Sequence, residues 1–354
     1  SQAKIPTLTL KKTADTSRLA NFREGDIAVL YPYSDNPRAV LKNQIFKCSI
    51  IAINDELIEV KLRSKQYNDT LFASIPHWNI ESDSLDSGFN TLYRSLWEFM
   101  CAPSYKKDLW MGTMAPKKPT IKEYANIKHL TKEQNDTLDR MTDVQDYYLL
   151  WGPPGTGKTS VMLKSLVERV YNHTEENILL LAYTNRAVDE MCAAIESIAK
   201  GFDKLYIRVG SATSCGEKYR PRLINNLICD IDKRNDIRSL LKVCRIYVST
   251  VSSITSRSSL FKLIKFDRVI IDEASQILEP MLVGLLSRVD KAVLIGDHKQ
   301  LPAVVTQSEE KTKISDEMLK SNGIVDMRMS LFERLYHQCK KKEWTHALGL
   351  LSYQ

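Results

Sequence analysis

The sequence predicts an α/β protein, in which a parallel sheet covered by helices follows a small β-barrel domain and a helical stalk. Three observations lead to this fold class. From about residue 130, short apolar segments alternate with amphipathic segments, as expected for a parallel sheet with helices on both faces. Before residue 119, β-branched runs surround short polar turns. Residues 152–159 have the sequence Gly-Pro-Pro-Gly-Thr-Gly-Lys-Thr, which is typical of a phosphate-binding loop between a strand and a helix.

The composition is that of a globular protein with a mild excess of positive charge. Of the 354 residues, 43% are hydrophobic and 26% are charged, and the net charge is +7. These values argue against a disordered chain and permit a polyanionic partner. No apolar run approaches the roughly 18–20 residues that span a bilayer, so no membrane partner is predicted. The seven cysteines contain no CxxC pair, which favours reduced thiols in an intracellular protein, in the cytoplasm, nucleoid or nucleus.

The amino-terminal part is predicted to be rich in strands. Strand-like runs lie at 27–31, 48–53 and 57–62, and the polar residues 54–56 join the last two as a hairpin. Closing these strands into a small barrel would leave no open edge.

A helical stalk and a linker follow the predicted barrel. Apolar residues share one helical face within 90–100, and Ala-Pro-Lys-Lys-Pro-Thr at 115–120 is predicted to be a linker. The chain therefore divides into a barrel and stalk domain, residues 1–119, and an α/β domain, residues 120–354.

The α/β domain is predicted to contain six buried strands. Helical periodicity is found at 160–171 and 186–200, and residues 211–243 are predicted to form a polar, helical excursion. The strand candidates are 147–151, 178–183, 205–209, 245–249, 268–272 and 291–295.

The phosphate loop is the strongest chemical signal in the sequence. Glycines allow successive backbone N–H groups to surround a phosphate, and the following helix adds its positive end. Lys158 is predicted to reach the β- and γ-phosphates, and the Thr159 hydroxyl to bind Mg²⁺. The alternative is a Gly/Pro-rich turn that matches by chance, which the flanking patterns disfavour. The residues predicted to bind the nucleotide here are Gly152, Pro153, Gly155, Thr156, Gly157, Lys158, Thr159 and Ser160.

Two acids follow the apolar strand candidate at 268–271. Asp272 is predicted to hold Mg²⁺ together with Thr159, and Glu273 to orient and deprotonate the attacking water, because phosphoryl transfer needs positioning and charge neutralisation. A buried strand that ends in a solvated acidic turn is the alternative.

A third polar segment follows another strand candidate. Gly-Asp-His-Lys-Gln-Leu-Pro occupies 296–302. The amide of Gln300 is predicted to hydrogen-bond the γ-phosphate or the attacking water, and so to sense whether that phosphate is present. His298 is predicted to be a surface loop residue rather than a ligand.

Taken in order, these segments resemble the superfamily 1 helicases of the 5′-to-3′ branch. The resemblance rests on the phosphate loop, on Asp-Glu-Ala-Ser at 272–275 and on the segment at 296–302. Residues 181–189 look like motif Ia of that family, and Leu-Thr-Lys-Glu-Gln at 130–134 looks like its Q motif. The resemblance implies that Gln134 binds adenine, whose edge offers both a donor and an acceptor to an amide.

Within this branch, residues 183–189 and 272–277 are most similar to the flap-processing nuclease–helicase of DNA replication, and next most similar to the RNA-surveillance helicases. The resemblance implies the barrel and first RecA-like motor domain of an ATP- and Mg²⁺-dependent helicase that grips single-stranded DNA. The family's second RecA-like domain, which supplies arginines to the ATP site, is expected to be absent, so this chain alone is expected to be weakly active or inactive. Two alternatives stay open: an RNA helicase, and a nucleotide-gated nucleic-acid-binding module without motor activity.

Candidate nucleic-acid contacts lie at two strand ends. Thr184, Asn185 and Arg186 fall in the segment similar to motif Ia, where a helix begins and offers free N–H groups. Thr250 lies in a segment that resembles motif Ic and has small hydroxyls suited to phosphate contacts. Residues 204–245 contain ten basic and four acidic side chains, an excess that a nucleic-acid track or a solvated helical face explains equally well.

Overall fold

The computed structural model describes residues 5–17, 22–35, 43–68, 70–83, 86–231, 233–300, 303, 305 and 307–352. The chain forms two compact units, Ser1–Phe89 and Asn90–Gln354. The stalk helix after residue 90 thus belongs to the second unit, and the functional division into 1–119 and 120–354 stays a prediction.

The first unit contains a five-stranded antiparallel sheet in the order β1-β4-β3-β2-β5. Its core is formed by alternate residues of the central strands, such as Leu30, Ile50 and Val60. The predicted hairpin is confirmed, and Asn54 Oδ1 accepts hydrogen bonds from the N–H groups of Glu56 and Leu57 in its turn. Within the described ranges no pairing joins β1 to β5, so the unit is a sheet with two edges and its closure into a barrel stays a prediction. The elements are β1 (Thr7–Lys11), β2 (Ile27–Pro32), β3 (Phe46–Ile53), β4 (Leu57–Leu62), α1 (Thr70–Ser74) and β5 (Trp78–Ser82).

The second unit contains a seven-stranded parallel sheet in the order β12-β6-β11-β10-β7-β9-β8. All six predicted strands are present, each within one or two residues of its predicted ends. The seventh, β12, was not predicted, because three residues are too short for a periodic signal. The strands are β6 (Tyr147–Trp151), β7 (Ile178–Ala182), β8 (Tyr206–Val209), β9 (Ile246–Thr250), β10 (Arg268–Ile271), β11 (Lys291–Gly296) and β12 (Leu348–Leu350).

Helices cover both faces of this sheet. In β6, Tyr147 and Leu149 belong to one core layer, whereas Tyr148 and Leu150 belong to the other, so both faces are buried as the continuous apolar runs predict. The α-helices described after α1 are α2 (Asp86–Met100), α3 (Ser104–Met111), α4 (Lys132–Thr142), α5 (Lys164–His173), α6 (Asn185–Glu196), α7 (Ile224–Ile228), α8 (Arg234–Val243), α9 (Val251–Ser256), α10 (Leu260–Leu263), α11 (Glu279–Leu286), α12 (Glu309–Thr312), α13 (Glu317–Ser321) and α14 (Leu331–Lys341). In the part of the chain that is described, none of the helices has the length and apolarity needed to cross a membrane.

The segment at 115–120 is not a free linker, contrary to the sequence-based expectation. The N–H of Lys117 donates to Asp146 Oδ2 at 2.8 Å, and the carbonyl oxygen of Pro116 lies 2.8 Å from His346 Nε2. Slightly further on, the N–H of Lys122 donates to Asp143 Oδ2 at 2.6 Å. Proline excludes helix here, but buried carboxylates at the end of α4 fix the extended backbone in place, a partnership that a local pattern does not reveal.

Helices α2 and α11 cross at a close approach that requires glycine. A Cβ atom on Gly284 would lie 2.6 Å from Ser95 Cα and closer still to its carbonyl oxygen, and the Gly284 N–H donates to Ser95 Oγ at 3.0 Å. Because these atoms of Ser95 are backbone or buried side chain, a larger residue at position 284 would fit only if the two helices moved apart.

We expect Gly284→Ala to lower the free energy of unfolding by about 1–3 kcal/mol, because overpacking outweighs the better helix propensity of alanine. Urea denaturation measures this change. Gly210→Ala is the matched control, since a Cβ there would meet no atom within 4 Å. Equal stability of the two variants would contradict the proposed clash.

Candidate nucleotide-binding site

The phosphate loop connects β6 to its following helix in a conformation that needs glycine at fixed positions. Gly155 and Gly157 have φ angles of +79° and +74°, which other residues rarely adopt. A Cβ on Gly152 would lie 2.7 Å from Thr156 Oγ1, and that hydroxyl donates to the carbonyl oxygen of Pro153 at 2.8 Å. The first helical turn is wide, with the N–H groups of both Val161 and Met162 donating to the Gly157 carbonyl.

The Lys158 side chain folds back over this loop. Its ammonium donates to the carbonyl oxygens of Gly152 and, at 2.9 Å, Pro153. Burial lowers the pKa of Lys158, while the nearby carboxylates of Asp297, Asp272 and Glu273 oppose that change. The charges of three nearby acids therefore offset part of the cost of burying this ammonium group.

Asp272 and Thr159 meet directly. The Thr159 hydroxyl donates to Asp272 Oδ2 at 2.5 Å, and the Glu273 N–H donates to Asp272 Oδ1 at 2.9 Å. Asp272 is only 2% exposed, and burial raises its pKa although both hydrogen bonds and Lys158 lower it. A hydroxyl and a carboxylate oxygen side by side are hard ligands of the kind that Mg²⁺ prefers.

Glu273 follows β10 in a strained backbone conformation. Its φ angle of +52° is uncommon for a residue with a side chain, and such strain concentrates at functional sites. Burial raises the pKa of Glu273, and the charges of Asp272 and Glu190 raise it further. A carboxylate with a raised pKa is a better general base.

Asp297 and Gln300 lie in the loop after β11. Asp297 Oδ1 accepts from the indole N–H of Trp151 at 2.9 Å, and Asp297 Oδ2 accepts from Gln300 Nε2 at 3.1 Å. The predicted sensor amide is thus held by a buried carboxylate beside the phosphate loop. Asp297 was not predicted as a site residue, although an acid directly after an apolar strand is the same signal that identified Asp272. Residues 301 and 302 of this motif lie outside the described part of the chain.

His298 is not a plain surface residue. Its ring lies 5.0 Å from that of Trp151 and 4.6 Å from that of Tyr336. Burial lowers the pKa of His298, and so does the charge of His337. His298 thus lies in a loop, as the sequence predicts, but it is half-buried, because α14 brings aromatic rings over the loop from a distant part of the chain.

Gln134 lies in the first turn of α4 and forms a reciprocal cap with Thr131. Its N–H donates to Thr131 Oγ1 at 3.2 Å, while its side-chain carbonyl accepts from the Thr131 N–H at 2.9 Å. Residues near the carboxyl end of the chain join this turn to β6. The Leu351 N–H donates to the carbonyl oxygen of Trp151 at 2.9 Å, and the Ser352 hydroxyl donates to Glu133 Oε2 at 2.8 Å. The amide is thus near the base of the phosphate loop, but its oxygen caps the helix, and its role in binding adenine stays a prediction.

Parallel pairing places these groups at one edge of the sheet. Trp151 of β6 lies opposite Gly296 of β11. Asp272 directly follows β10, and its N–H donates to the carbonyl oxygen of Leu181 in β7 at 2.8 Å. The carboxyl ends of parallel strands share an edge, where α/β proteins bind ligands. The phosphate loop, the two acids and the Asp297 loop therefore form one site.

The predicted nucleic-acid residues lie at the same edge, further along it. Thr184 caps α6 by accepting from the Ala187 N–H at 3.1 Å. Arg186 is 90% exposed and pairs with Glu190 at 3.1 Å. Thr250, opposite Ala182 in the neighbouring strand, caps α9 and is only 6% exposed.

A phosphate loop after β6, with a magnesium-type acid at the same sheet edge after β10, two strands away, defines a nucleotide-binding P-loop domain. The chain belongs to the AAA domain family, whose model matches residues 129–228 and 224–308, together more than half of the chain.

Known helicases are similar to the chain in sequence. The DNA replication ATP-dependent helicase/nuclease JHS1 of Arabidopsis thaliana is 32% identical over 225 residues, which are 63% of this chain and 15% of that protein. The DNA replication ATP-dependent helicase/nuclease dna2 of Schizosaccharomyces pombe is 28% identical over 295 residues, which are 74% of this chain and 20% of that protein. The chain thus spans a fifth or less of the length of these two relatives. They confirm the resemblance to superfamily 1 helicases of the DNA-replication type.

Among solved structures, the UvsW helicase from bacteriophage T4 has a TM-score of 0.34 and 13% identity, covering 62% of this chain and 64% of that one. That likeness is too weak to carry an argument.

Asp272 should reduce the stability of the ligand-free protein at neutral pH. Because burial raises its pKa, ionisation costs stability above the native pKa, and this cost disappears as the pH falls below the unfolded value. We expect Asp272→Asn to raise the free energy of unfolding by about 1 kcal/mol at pH 7, and the gain to shrink as the solution is acidified.

Urea unfolding at neutral and acidic pH measures this difference. Asp290→Asn is the control, since Asp290 is 55% exposed and pairs with Lys265 at the surface. A loss of stability in Asp272→Asn at pH 7 would show that the hydrogen bonds of Asp272 outweigh the cost of burying its charge.

Proposed function

We propose that this chain is the ATP-binding and hydrolysing motor portion of a 5′-to-3′ DNA helicase that grips single-stranded DNA. One observation carries the proposal: Lys158, the Thr159–Asp272 pair and Glu273 come together at a single sheet edge from separate segments of the chain. Similarity to the replication helicase/nucleases supports the same activity and favours DNA over RNA as the track.

Each group has a distinct part in hydrolysis. Lys158 exchanges the loop carbonyls for the β- and γ-phosphates and neutralises their charge. Glu273 accepts the proton of the attacking water, and Gln300 leaves Asp297 to bond the γ-phosphate or that water. Thr159 and Asp272 would hold Mg²⁺, which when bound supplies charge neutralisation between the phosphates.

A second RecA-like domain of the parent chain is the proposed partner of this site. In the family that the chain resembles, that domain supplies arginines to the terminal phosphate, and such arginines contribute on the order of 10³–10⁵ in rate. The first motor domain alone is therefore proposed to bind ATP well and to hydrolyse it weakly.

Single-stranded DNA is proposed to run along the sheet edge beside the ATP site. The amino-terminal ends of α6 and α9 begin at neighbouring strand ends, so their free N–H groups face the same edge. Exposed Arg186 is suited to a backbone phosphate. Thr250, being buried and engaged in capping, is proposed to act by orienting the start of α9.

We expect Glu273→Gln to keep ATP binding but to lower hydrolysis at least about 100-fold, because the base is lost and the phosphate contacts remain. Binding is measured by titration with a fluorescent ATP derivative, and hydrolysis by phosphate release with single-stranded DNA present. Glu175→Gln is the control, with a side chain that is 95% exposed. An equal loss of ATP binding in Glu273→Gln would disprove the assigned role.

We expect single-stranded DNA affinity to fall steeply between 50 and 200 mM salt, since phosphate contacts release counterions. Arg186→Ala should weaken binding and reduce the slope of log affinity against log salt by about one. Lys200→Ala is the control, because exposed Lys200 lies beyond the other end of α6. If Arg186→Ala leaves the slope of log affinity against log salt unchanged, Arg186 does not contact a backbone phosphate. A preference for a matched RNA oligomer would contradict the choice of DNA.

A further inference from the structure

One buried carboxylate joins the entry of the phosphate loop to the sensor amide. Asp297, which is 5% exposed, accepts hydrogen bonds from the indole of Trp151 at 2.9 Å, the Lys299 N–H at 3.0 Å and the Gln300 amide at 3.1 Å. Hydrogen bonds to an ionised acceptor are the stronger kind, and here the acceptor is buried whereas the Lys299 and Gln300 residues that donate to it are exposed. Trp151 directly precedes Gly152, so this indole is the side-chain contact between the two loops.

The backbones of the two loops are also fixed to each other. Trp151 lies opposite Gly296 in the parallel pairing of β6 and β11, and the Gly152 N–H donates to the Gly296 carbonyl at 3.2 Å. Above that pairing, Asp297 is anchored by its own N–H to Ser275 Oγ at 3.2 Å. Asp297 therefore stays in place when Gln300 moves, and the Trp151 bond keeps its carboxylate oriented.

The indole ring contacts two further elements. The ammonium of Lys299 lies 5.0 Å from the ring centroid of Trp151, and that of Lys340 lies 6.0 Å from it. Tyr336 of α14 packs against the same ring at 5.7 Å, edge to face. The indole thus lies between the sensor loop, which carries Lys299, and α14, which carries Lys340 and Tyr336.

We propose that Trp151 is a positioning residue that couples the phosphate loop to Gln300. Its indole N–H holds the Asp297 carboxylate in one orientation, and from that carboxylate the Gln300 amide moves to the γ-phosphate. This inference rests on the proposed function, since it names a regulator of the same site. Gln300 then has two alternative acceptors, the Asp297 carboxylate and the terminal phosphate, and the loop from 297 to 300 is the element with two arrangements. When Gln300 turns towards the phosphate, neighbouring Lys299 moves away from its position over the indole, so the state of the nucleotide reaches α14.

The test uses Trp151→Phe, which keeps an aromatic ring but removes the N–H donor. We expect kcat for ATP hydrolysis with single-stranded DNA to fall about tenfold while KM stays within about twofold, because the phosphate contacts are intact and the sensor is misplaced. In the unmodified protein, a non-hydrolysable ATP analogue with Mg²⁺ should change indole fluorescence more than ADP does. That difference should be lost in Trp151→Phe.

Trp344→Phe is the matched control, because Trp344 also has a lysine over its ring, Lys342 at 4.9 Å, but no bond to Asp297. It should keep both kcat and the fluorescence difference. The proposal is overturned if Trp151→Phe retains kcat within twofold, or if kcat falls only together with a comparable rise in KM, as a merely structural role would cause.

A second variant guards against poor folding of Trp151→Phe. Lys299→Met leaves every hydrogen bond to Asp297 in place and should preserve kcat, yet reduce the fluorescence difference by about half. If the fluorescence difference between the ATP analogue and ADP is unaltered in Lys299→Met, the proposed movement of this lysine relative to the indole is overturned. If the unmodified protein binds ATP without hydrolysing it even with DNA, the proposed function fails, whereas the fluorescence comparison between the unmodified protein and Lys299→Met, which keeps the indole, still decides whether the sensor loop acts on Trp151.

Discussion

The parallel pairing of β6, β11, β10 and β7 is the constraint on which the site depends. Their registers align the last residues of each strand, so every loop that leaves a strand starts from the same edge. The acids after β10 and the Asp297 loop both lie more than a hundred residues after their partners in and beside the phosphate loop, and the sheet brings them within hydrogen-bonding distance.

The opposite edge of the sheet is built for rigidity. Buried Arg268 donates to Glu176 at 2.7 Å and to the carbonyl oxygen of Met141 at 2.7 Å, and Lys291 donates to Glu176 at 2.6 Å. Burial by itself would raise the pKa of Glu176, but Arg268 and Lys291 more than compensate and lower it. Here each buried charge has a partner, which is the condition under which buried ions are tolerated.

At the functional edge the charges are left less well compensated. Asp272 and Glu273 both have raised pKa values caused first by burial, and Glu273 also holds a left-handed backbone. For the proposed nucleotide site this is an advantage, because a bound cation and the phosphates would supply the charge compensation that the protein itself leaves out. In the Asp297 loop the carboxylate holds the Gln300 amide through a single hydrogen bond, the one that a phosphate oxygen would replace in the proposed mechanism.

Local patterns in the sequence are enough to predict the fold class, the six longer parallel strands, and the phosphate loop with its acids. These are local signals: a buried strand is a continuous apolar run, and a phosphate loop needs glycine at fixed spacing. Tertiary structure decided what depends on distant partners. The extended segment at 115–120 is fixed by carboxylates beyond α4, His298 is covered by rings of α14, and Asp297 gains its role from an indole 146 positions away. No local pattern records these contacts, because each exists only after the strands have paired.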